Sequence, residues 1–315
     1  MNIDLKIKYL AAGAVVSVMI AGTGVQMLAQ EQSQAQAAEG RIMIEPLFEY
    51  PVAPDSIVAL QDRSDYLLEH FWDQMKFSDK STVDQNALND AFRVYSTPMR
   101  FGSAQVAMGS TDRLIQRIAK NPVLSLQFAK AAEEVLYGPR ADAWNDHIYL
   151  KFIDNLLANK QVKKERKIRY EHHKKLLQNT LIGSVPPEFD YRTPEGKKSH
   201  YEPNGVITVI EFGDPDCDDC RFARLKMETN VAFSELVDKG KINVLFVYVD
   251  PEDGWEDKLK DYPVKWHVGA SDEVSELYDL RNTPSIYVID REGKVAAKNV
   301  NIQTAMAIAT GAANY

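Results

Sequence analysis

Cysteine is the scarcest reactive residue in this chain, since its 315 residues contain only Cys217 and Cys220. Two cysteines cannot form the multiple-disulfide framework on which small secreted domains depend. Positive charge is also low, because 37 Lys and Arg are outnumbered by 45 Asp and Glu, giving a net charge of −8. This balance provides no general attraction to phosphate backbones, so nucleic acid is not an expected partner.

Compositional bias is missing as well. Hydrophobic residues make up 45% of the chain and charged residues 26%, with 16 Gly and 14 Pro. These values exclude collagen-like and disordered chains and indicate a packed protein. The length is about twice that of a typical domain, which predicts two domains.

An uncharged segment follows Lys6 and Lys8 near the N-terminus. It runs from Tyr9 to Gln30 and has an apolar centre over residues 10–20. The pattern predicts a signal peptide or signal anchor plus spacer over residues 1–38, with cleavage favoured because three glycines interrupt the segment. The remainder is therefore expected in the periplasm or cell envelope, and a membrane is a partner only if the segment stays uncleaved.

Residues 39–182 show helical periodicity and almost no β-branched runs, which predicts an all-helical domain. The sequence contains a charged run near the end of this region, and Ile168 and Leu176 are expected to give that run a core-facing side. A solvated helix face is therefore favoured there over an anion-binding surface. Six helices are expected: around Tyr66–Met75, around Leu88–Tyr95, after a cap at Thr111, from Pro122, around Trp144–Leu156, and over Lys163–Leu177.

From residue 183 to 315 the pattern changes to short apolar runs typical of strands. Two near-continuous runs separated by a helix predict a βαβ unit, and a turn after Asp290 adds an antiparallel hairpin. The expected fold class is α + α/β, in which the all-helical domain precedes a mixed central sheet flanked by helices. The expected elements are a hairpin over Phe189–Tyr201, strands Val206–Phe212, Ile242–Val249, Ser285–Asp290 and Val295–Val300, and helices Cys217–Lys239, Asp272–Asp279 and from Ile302.

The two cysteines form a Cys-x-x-Cys motif at the predicted junction of a strand and a helix. A helix N-terminus favours the thiolate of the first cysteine, and the second is close enough to resolve a mixed disulfide. In an exported compartment, such a pair suits disulfide chemistry. The alternatives are weaker: a static disulfide would close only a short loop, a zinc site lacks two further ligands, and a calcium loop lacks its glycine and its final glutamate.

The region from Gly183 resembles the thioredoxin-like domain of TlpA-like exported thiol-disulfide oxidoreductases. The resemblance rests on Val206–Phe212 leading into the Cys pair, on Thr283-Pro284 before the strand SIYVID, and on the stretches PEFDYRTPEGK and LYDLRNTPSIYVIDREGKV. The helical half resembles a domain of unknown function that precedes such domains in secreted bacterial proteins.

The resemblance implies roles for individual residues. Glu211 would be a buried acid that helps to deprotonate the resolving Cys220 after Cys217 has attacked, and burial should raise the pKa of this carboxyl. Pro284 would be cis, face the disulfide, and with Thr283 leave backbone groups free for a substrate peptide. A surface acid at a sheet edge and an ordinary proline at a strand start are the alternatives.

The sequence departs from the family pattern around the motif. Asp216 replaces the usual tryptophan, and acidic residues surround the thiols, which disfavours a thiolate and predicts a reductase-like couple. Asp216 and Thr283 are candidate substrate contacts. Trp255, in the long connection over residues 249–271, is a third candidate, although this connection could equally be a packed excursion.

The sequence therefore predicts an exported, reductase-like thiol-disulfide oxidoreductase. Its expected partners are protein thiol or disulfide substrates and an upstream redox donor, and neither a cofactor nor a metal is expected beyond the Cys217–Cys220 pair. Two alternatives remain. One is a non-enzymatic binding or scaffold protein whose helical domain recruits a partner, and the other is a copper-handling protein, although no Met-rich or His-rich stretch favours it.

Overall fold

The computed structural model describes residues 46–77, 82–141 and 143–314 of the chain. The predicted signal segment and spacer over residues 1–38 lie outside the described residues, so export stays a prediction. Within the described ranges, no helix is both long and apolar enough to cross a membrane.

Six α-helices form the N-terminal half, as the periodicity predicts. Side chains of Asp84, Ser103, Asn121 and Asn145 cap four of them by accepting hydrogen bonds from backbone N–H groups of the first turn. The helices are α1 Leu60–His70, α2 Gln85–Ser96, α3 Ala104–Ile118, α4 Pro122–Leu136, α5 Asp146–Ala158 and α6 Ile168–Asn179.

Two helix starts differ from the predicted ones. Ser103 caps α3, whereas Thr111 is buried within this helix and donates its hydroxyl to the Ala107 carbonyl. Asn145 caps α5, so Trp144 precedes this helix instead of lying in it. Apolar periodicity locates the middle of a helix, but its first residue depends on the side chain that caps the free N–H groups.

Aromatic rings fill the core of the helical half. The Trp72 ring, for example, lies 5.3 Å from both the Tyr95 and the Phe128 rings, measured between centroids. The predicted core-facing position of Ile168 is wrong, since this side chain is 63% exposed. Tyr170 and Leu177 are buried instead, because the helix begins only at Ile168 after a 3₁₀ turn.

A single mixed sheet of seven strands forms the C-terminal half, which confirms the predicted fold class. The strand order is β2-β1-β5-β4-β3-β6-β7; β3, β4 and β5 are parallel, and β6 is antiparallel to β3. The strands are β1 Phe189–Arg192, β2 Lys198–Tyr201, β3 Ile207–Gly213, β4 Ile242–Val249, β5 His267–Ser271, β6 Ser285–Ile289 and β7 Val295–Lys298.

The elements around this sheet differ from the prediction at three places. The predicted helix over residues 217–239 divides at Asn230, whose side chain caps the second helix. The predicted helix Asp272–Asp279 holds only a 3₁₀ turn, and β5 was not expected, because HVGAS has little of the β-branched character of strands. The helices of this half are α7 Asp218–Thr229, α8 Val231–Asp238, α9 Trp255–Lys258 and α10 Ile302–Ala313.

The central strand β3 is covered on both faces. Ile207 and Val209 pack with residues of α7, α8 and α10, whereas Ile210 and Phe212 pack on the opposite face. Because side chains alternate along a strand, residues 211 and 213 share the face of Ile207 and Val209. This is the face on which α7 lies.

The helical and sheet halves have separate hydrophobic cores. They nevertheless meet closely, and the chain from residue 46 onward forms one compact unit. Backbone hydrogen bonds of 2.8 Å link Gly183 N to Val295 O and Val295 N to Ser184 O, directly after the last helix of the helical half. The predicted boundary between residues 182 and 183 stays a prediction.

Candidate dithiol site

Cys217 and Cys220 lie where the chain leaves β3 and enters α7. Cys217 caps this helix, and its Sγ accepts a hydrogen bond of 3.4 Å from the backbone N–H of Cys220. The preceding turn is held by Asp214, whose carbonyl accepts from Cys217 N at 3.1 Å and whose carboxylate accepts from Asp216 N at 2.8 Å. Both cysteines are free thiols; Cys217 is half-buried and Cys220 is buried. Cys217 is therefore the sulfur that a substrate can reach.

The Cys220 thiol is held in its protonated form. Burial raises its pKa well above the ordinary range, and the hydrogen bond with Cys217 and the charge of Glu211 act in the same direction. Gly213 makes room for this sulfur, because a Cβ at position 213 would lie only 2.8 Å from the Cys220 Sγ. A glycine at the end of β3 therefore allows the second thiol to pack directly against the strand.

Glu211 is a fully buried acid, not a surface acid at a sheet edge. Glu211 is 0% exposed, and neither of its carboxylate oxygens has a hydrogen-bond partner among the described residues. The cause is its position on β3, where it pairs with Phe246 of β4 and Ile286 of β6. Burial raises the pKa of Glu211 to about 8, although the Arg224 guanidinium partly opposes this shift.

The Thr283-Pro284 peptide bond is cis and lies directly before β6. Thr283 is exposed, and the Asn282 side-chain amide donates to the Pro284 carbonyl at 2.9 Å. Thr283 and Pro284 line the same groove as Asp219 of α7. The structure thus brings this loop next to the first turn of the helix that carries both cysteines.

The acidic residues before and within the motif are partly neutralised. Asp216 is exposed and forms an ion pair of 2.6 Å with Lys258 at the end of α9. Asp218 pairs with Arg221 one turn further along α7. The sequence pattern does not indicate the Lys258 contact, since this lysine lies 42 residues from its partner.

Trp255 is buried and is not part of an exposed surface. Its residue is only 4% exposed, and it packs in a small cluster with Tyr248, Leu259 and Ala270. The guanidinium of Arg192 lies 5.7 Å from its ring centroid. This burial argues against the predicted substrate contact and identifies the connection around Trp255 as a packed excursion.

A buried ion cluster links the loop before Pro284 to the helical half. Arg281 Nη2 lies 2.7 Å from Asp146 Oδ1, and Lys298 Nζ lies 2.7 Å from Asp146 Oδ2. Asp279 accepts hydrogen bonds from both cations. Burial opposes ionisation of Asp279, but Arg281 and Lys298 outweigh it and hold its pKa below the ordinary value.

Sequence reasoning missed this ion cluster. The only local signal was that two charged residues, Asp279 and Arg281, lie in the sequence just before Thr283-Pro284 and an apolar strand. Asp146 lies 135 residues from Arg281 and follows a helix cap, where acidic residues are common for local reasons. No periodicity or spacing in a single sequence can reveal such a long-range pair.

Metal-ligating side chains rarely lie together in the part of the chain that the structure describes. One group of His and acidic residues lies close enough together to hold an ion: Glu188, His200 and Glu202. All three are exposed, and the His200 ring already contacts Asp190 at 2.6 Å and Glu188 at 3.3 Å. The group includes neither cysteine.

Comparisons with known proteins agree with this architecture. The model of the domain of unknown function DUF5106 matches residues 24–180. A crystal structure of a thioredoxin-like protein from Bacteroides caccae is 22% identical, with a TM-score of 0.72. That match covers 84% of this chain and 99% of the other, so it includes both halves.

Two shorter solved structures match with lower scores. The thioredoxin domain of a thiol-disulfide oxidoreductase from Bacteroides vulgatus is 20% identical, with a TM-score of 0.35 over 40% of this chain and 94% of its own. A thiol:disulfide interchange protein from a Bacteroides species is 19% identical, with a TM-score of 0.35 over 44% and 93%. No curated protein matches the chain. Residues 24–180 are thus similar to DUF5106, and the part of the chain that follows them and holds Cys217 and Cys220 has the thioredoxin-like fold.

Proposed function

We propose that the protein is an exported thiol-disulfide oxidoreductase that exchanges its Cys217–Cys220 pair with thiols and disulfides of protein substrates. One observation carries this proposal: an accessible thiol caps a helix, and a second, buried thiol follows one turn later beside a buried carboxyl group. The first sulfur can attack and the second can resolve. A static structural pair would need neither the difference in exposure nor the acid.

The reaction follows from these positions. The Cys217 thiolate attacks one sulfur of a substrate disulfide, so that a Cys217–substrate bond forms, the substrate S–S bond breaks, and one substrate thiolate leaves. Cys220 then loses its proton and attacks Cys217 Sγ, which releases the second substrate thiolate. The substrate disulfide gains two electrons and the protein dithiol loses two. An external thiol donor must return these electrons before the next cycle.

Glu211 is the group that we assign to the second step. The buried Cys220 thiol holds its proton tightly, so resolution requires a base. The carboxylate oxygens of Glu211 have no hydrogen-bond partner among the described residues and are free to accept this proton. Because the pKa of Glu211 is about 8, the ionised fraction that can accept a proton rises with pH and reaches one half at a pH of about 8.

The direction that we propose is reduction of substrates. Asp219 is exposed in the first turn of α7, and the described residues offer it no ion-pair partner. Its negative charge disfavours a thiolate at the helix start. The reduced form is therefore less stable, which makes the couple less oxidising. The reduction potential, measured against glutathione, checks this direction: a value as high as that of strong periplasmic oxidants, about −120 mV, would contradict it.

Trapping of a mixed disulfide tests the function itself. Cys220→Ala removes the resolving thiol but leaves Cys217, so this variant should accumulate a covalent adduct with a disulfide protein such as insulin. The adduct should separate on addition of dithiothreitol, as seen on non-reducing gels. Cys217→Ala is the matched control and should form no adduct.

Turnover distinguishes an enzyme from a scaffold. The wild-type protein should accelerate insulin reduction by dithiothreitol, and Cys217→Ala should return the rate to the uncatalysed background. A wild-type protein that neither accelerates the reaction nor yields an adduct as Cys220→Ala would be a binding or scaffold protein with a thioredoxin-like fold.

A further inference from the structure

We propose that the helical half forms part of the substrate site, and that Trp144 selects protein segments that carry an apolar side chain near the reacting cysteine. This inference rests on the proposed function and deepens it, since it assigns a substrate class and a task to the helical half. The observation behind it is a groove that both halves line beside the dithiol helix.

The groove has a volume of about 400 Å³, and its exposed lining is more apolar than polar. The sheet half contributes Phe222 from α7, Pro284 from the loop before β6, and Ile302 from the start of α10. The helical half contributes Trp144. A volume of this size accommodates a few side chains of an extended peptide.

The aromatic side chains of this groove are unusually accessible. Trp144 is 38% exposed and Phe222 is 49% exposed, although large rings are normally buried. Adjacent exposed rings mark contact sites for other molecules, and tryptophan often dominates binding energy at such sites. Here they lie within one groove that continues to the first turn of the cysteine helix.

Trp144 is held in place before any substrate arrives. Its indole Nε1 donates to the Gly138 carbonyl at 3.0 Å, and the Arg281 guanidinium lies 5.3 Å from its ring centroid. Arg281 is itself fixed by Asp146 through the buried ion cluster. A ring fixed in this way loses little conformational freedom on binding, which favours affinity.

The occupant that fits is an extended, cysteine-containing segment of a protein. Asp219, only two residues after Cys217, lines the groove and is exposed without an ion-pair partner among the described residues. Its charge favours Lys or Arg in the segment, and the rings favour an aromatic or aliphatic side chain. Thr283 is exposed in the same lining and leaves its backbone available for strand-like pairing.

The test compares two disulfide-linked peptides. One carries Phe or Leu two residues from its cysteine together with a Lys, and the other carries Ser at the same place. The wild-type protein should prefer the apolar peptide, mainly through a lower KM. Trp144→Ala should reduce this preference about tenfold, the effect of losing about 1.4 kcal/mol, and Trp144→Phe should restore most of it. Phe101→Ala, another exposed ring of the helical half, is the matched control and should leave the preference unchanged.

Binding without redox chemistry separates this inference from the proposed function. The same peptides with serine in place of cysteine are titrated into the wild-type protein and into Trp144→Ala by calorimetry. Preference of the wild type for the apolar peptide, lost in the variant, supports the groove even if no disulfide is reduced. Equal binding of both peptides by the wild type, or a preference that survives in Trp144→Ala, would overturn it.

Discussion

At the scale of single residues, the buried carboxyl group of Glu211 controls how the fold responds to pH. A carboxylate without a hydrogen bond inside a sheet is unfavourable, so the folded protein keeps this proton up to a pH of about 8, far above the ordinary value of 4.5. The unfolded chain releases the same proton near 4.5. Between these values Glu211 binds a larger fraction of a proton in the folded state, so its contribution to stability falls as the pH rises.

We expect Glu211→Gln to remove this dependence. Between pH 5 and 8 the wild-type free energy of unfolding should lose up to about 1.4 kcal/mol per pH unit relative to the variant. Urea unfolding of the reduced proteins at several pH values measures it. The comparison isolates Glu211 from His173, whose pKa burial lowers to about 4 and which acts in the opposite direction.

Glu235→Gln provides the control for this prediction, because Glu235 is an exposed acid on α8. This variant should keep the wild-type slope. If Glu211→Gln also keeps it, the carboxyl group of Glu211 does not hold a shifted proton.

The chemistry of single residues was largely predictable where neighbours in sequence set it. Burial was the favoured prediction for an acid inside the apolar run VITVIEF, and two cysteines at a strand-to-helix junction were expected to differ in exposure. Trp255 was not predictable in this way, because its burial depends on β4 and β5, and β5 has no recognisable strand pattern. Trp144 was missed as a groove residue because apolar periodicity placed it inside the predicted fifth helix, whereas it precedes that helix and is partly exposed. Phe222 was missed because it lies within the predicted helix over residues 217–239, where nothing in the sequence marks its ring as exposed.

At the scale of secondary-structure elements, the close packing of α7 against the end of β3 defines the dithiol site. Gly213 is the last residue of this strand, and its missing side chain leaves space for the Cys220 sulfur. This close contact positions the start of α7 next to the end of β3, and Cys217 caps the helix there.

Gly213→Ala should therefore destabilise the reduced protein by about 1–3 kcal/mol, because the new methyl group would lie 2.8 Å from the Cys220 Sγ. Gly311→Ala is the matched control: it lies within α10, has nothing within 4 Å of an added Cβ, and should stabilise by about 0.5–1 kcal/mol. Urea midpoints of the two reduced variants measure both effects. Equal midpoints would show that the strand end tolerates a side chain.

Element centres were easier to predict than element ends. The six helices and the apolar strands follow their periodicities, since burial of one face or of both faces repeats along each element. Ends depend on single capping side chains, as Ser103, Asn145 and Asn230 show, and several polar residues nearby could serve equally well. Strands such as β5, which lies between β1 and β4, form because neighbouring strands offer free backbone groups, and that information lies elsewhere in the chain.

At the scale of the whole molecule, the ion cluster of Asp146, Asp279, Arg281 and Lys298 connects the two halves. Its cations lie in a buried region where a lost partner is costly, because a charge without a counter-ion cannot be solvated there. The cluster therefore contributes to keeping the helical and sheet halves together.

Asp146→Asn should lower the free energy of unfolding by about 2–3 kcal/mol, less than a full loss of a buried pair because Asp279 still contacts both cations. The control is Asp154→Asn, on the same helix as Asp146. It removes the exposed partner of Lys174 and should cost less than about 1 kcal/mol. Urea unfolding followed by tryptophan fluorescence measures both. A cost for Asp146→Asn no larger than that of the control would mean that the cluster adds nothing to the contact.

Arg281 contacts the helical half and is also part of the loop that lines the groove. It is bound by Asp146 of the helical half, and it stands two residues before Thr283 in the loop that lines the groove. Consider a molecule that binds the helical half and changes this contact. If it alters the affinity for a substrate by some factor, the substrate alters the affinity for that molecule by the same factor, because thermodynamic linkage is reciprocal.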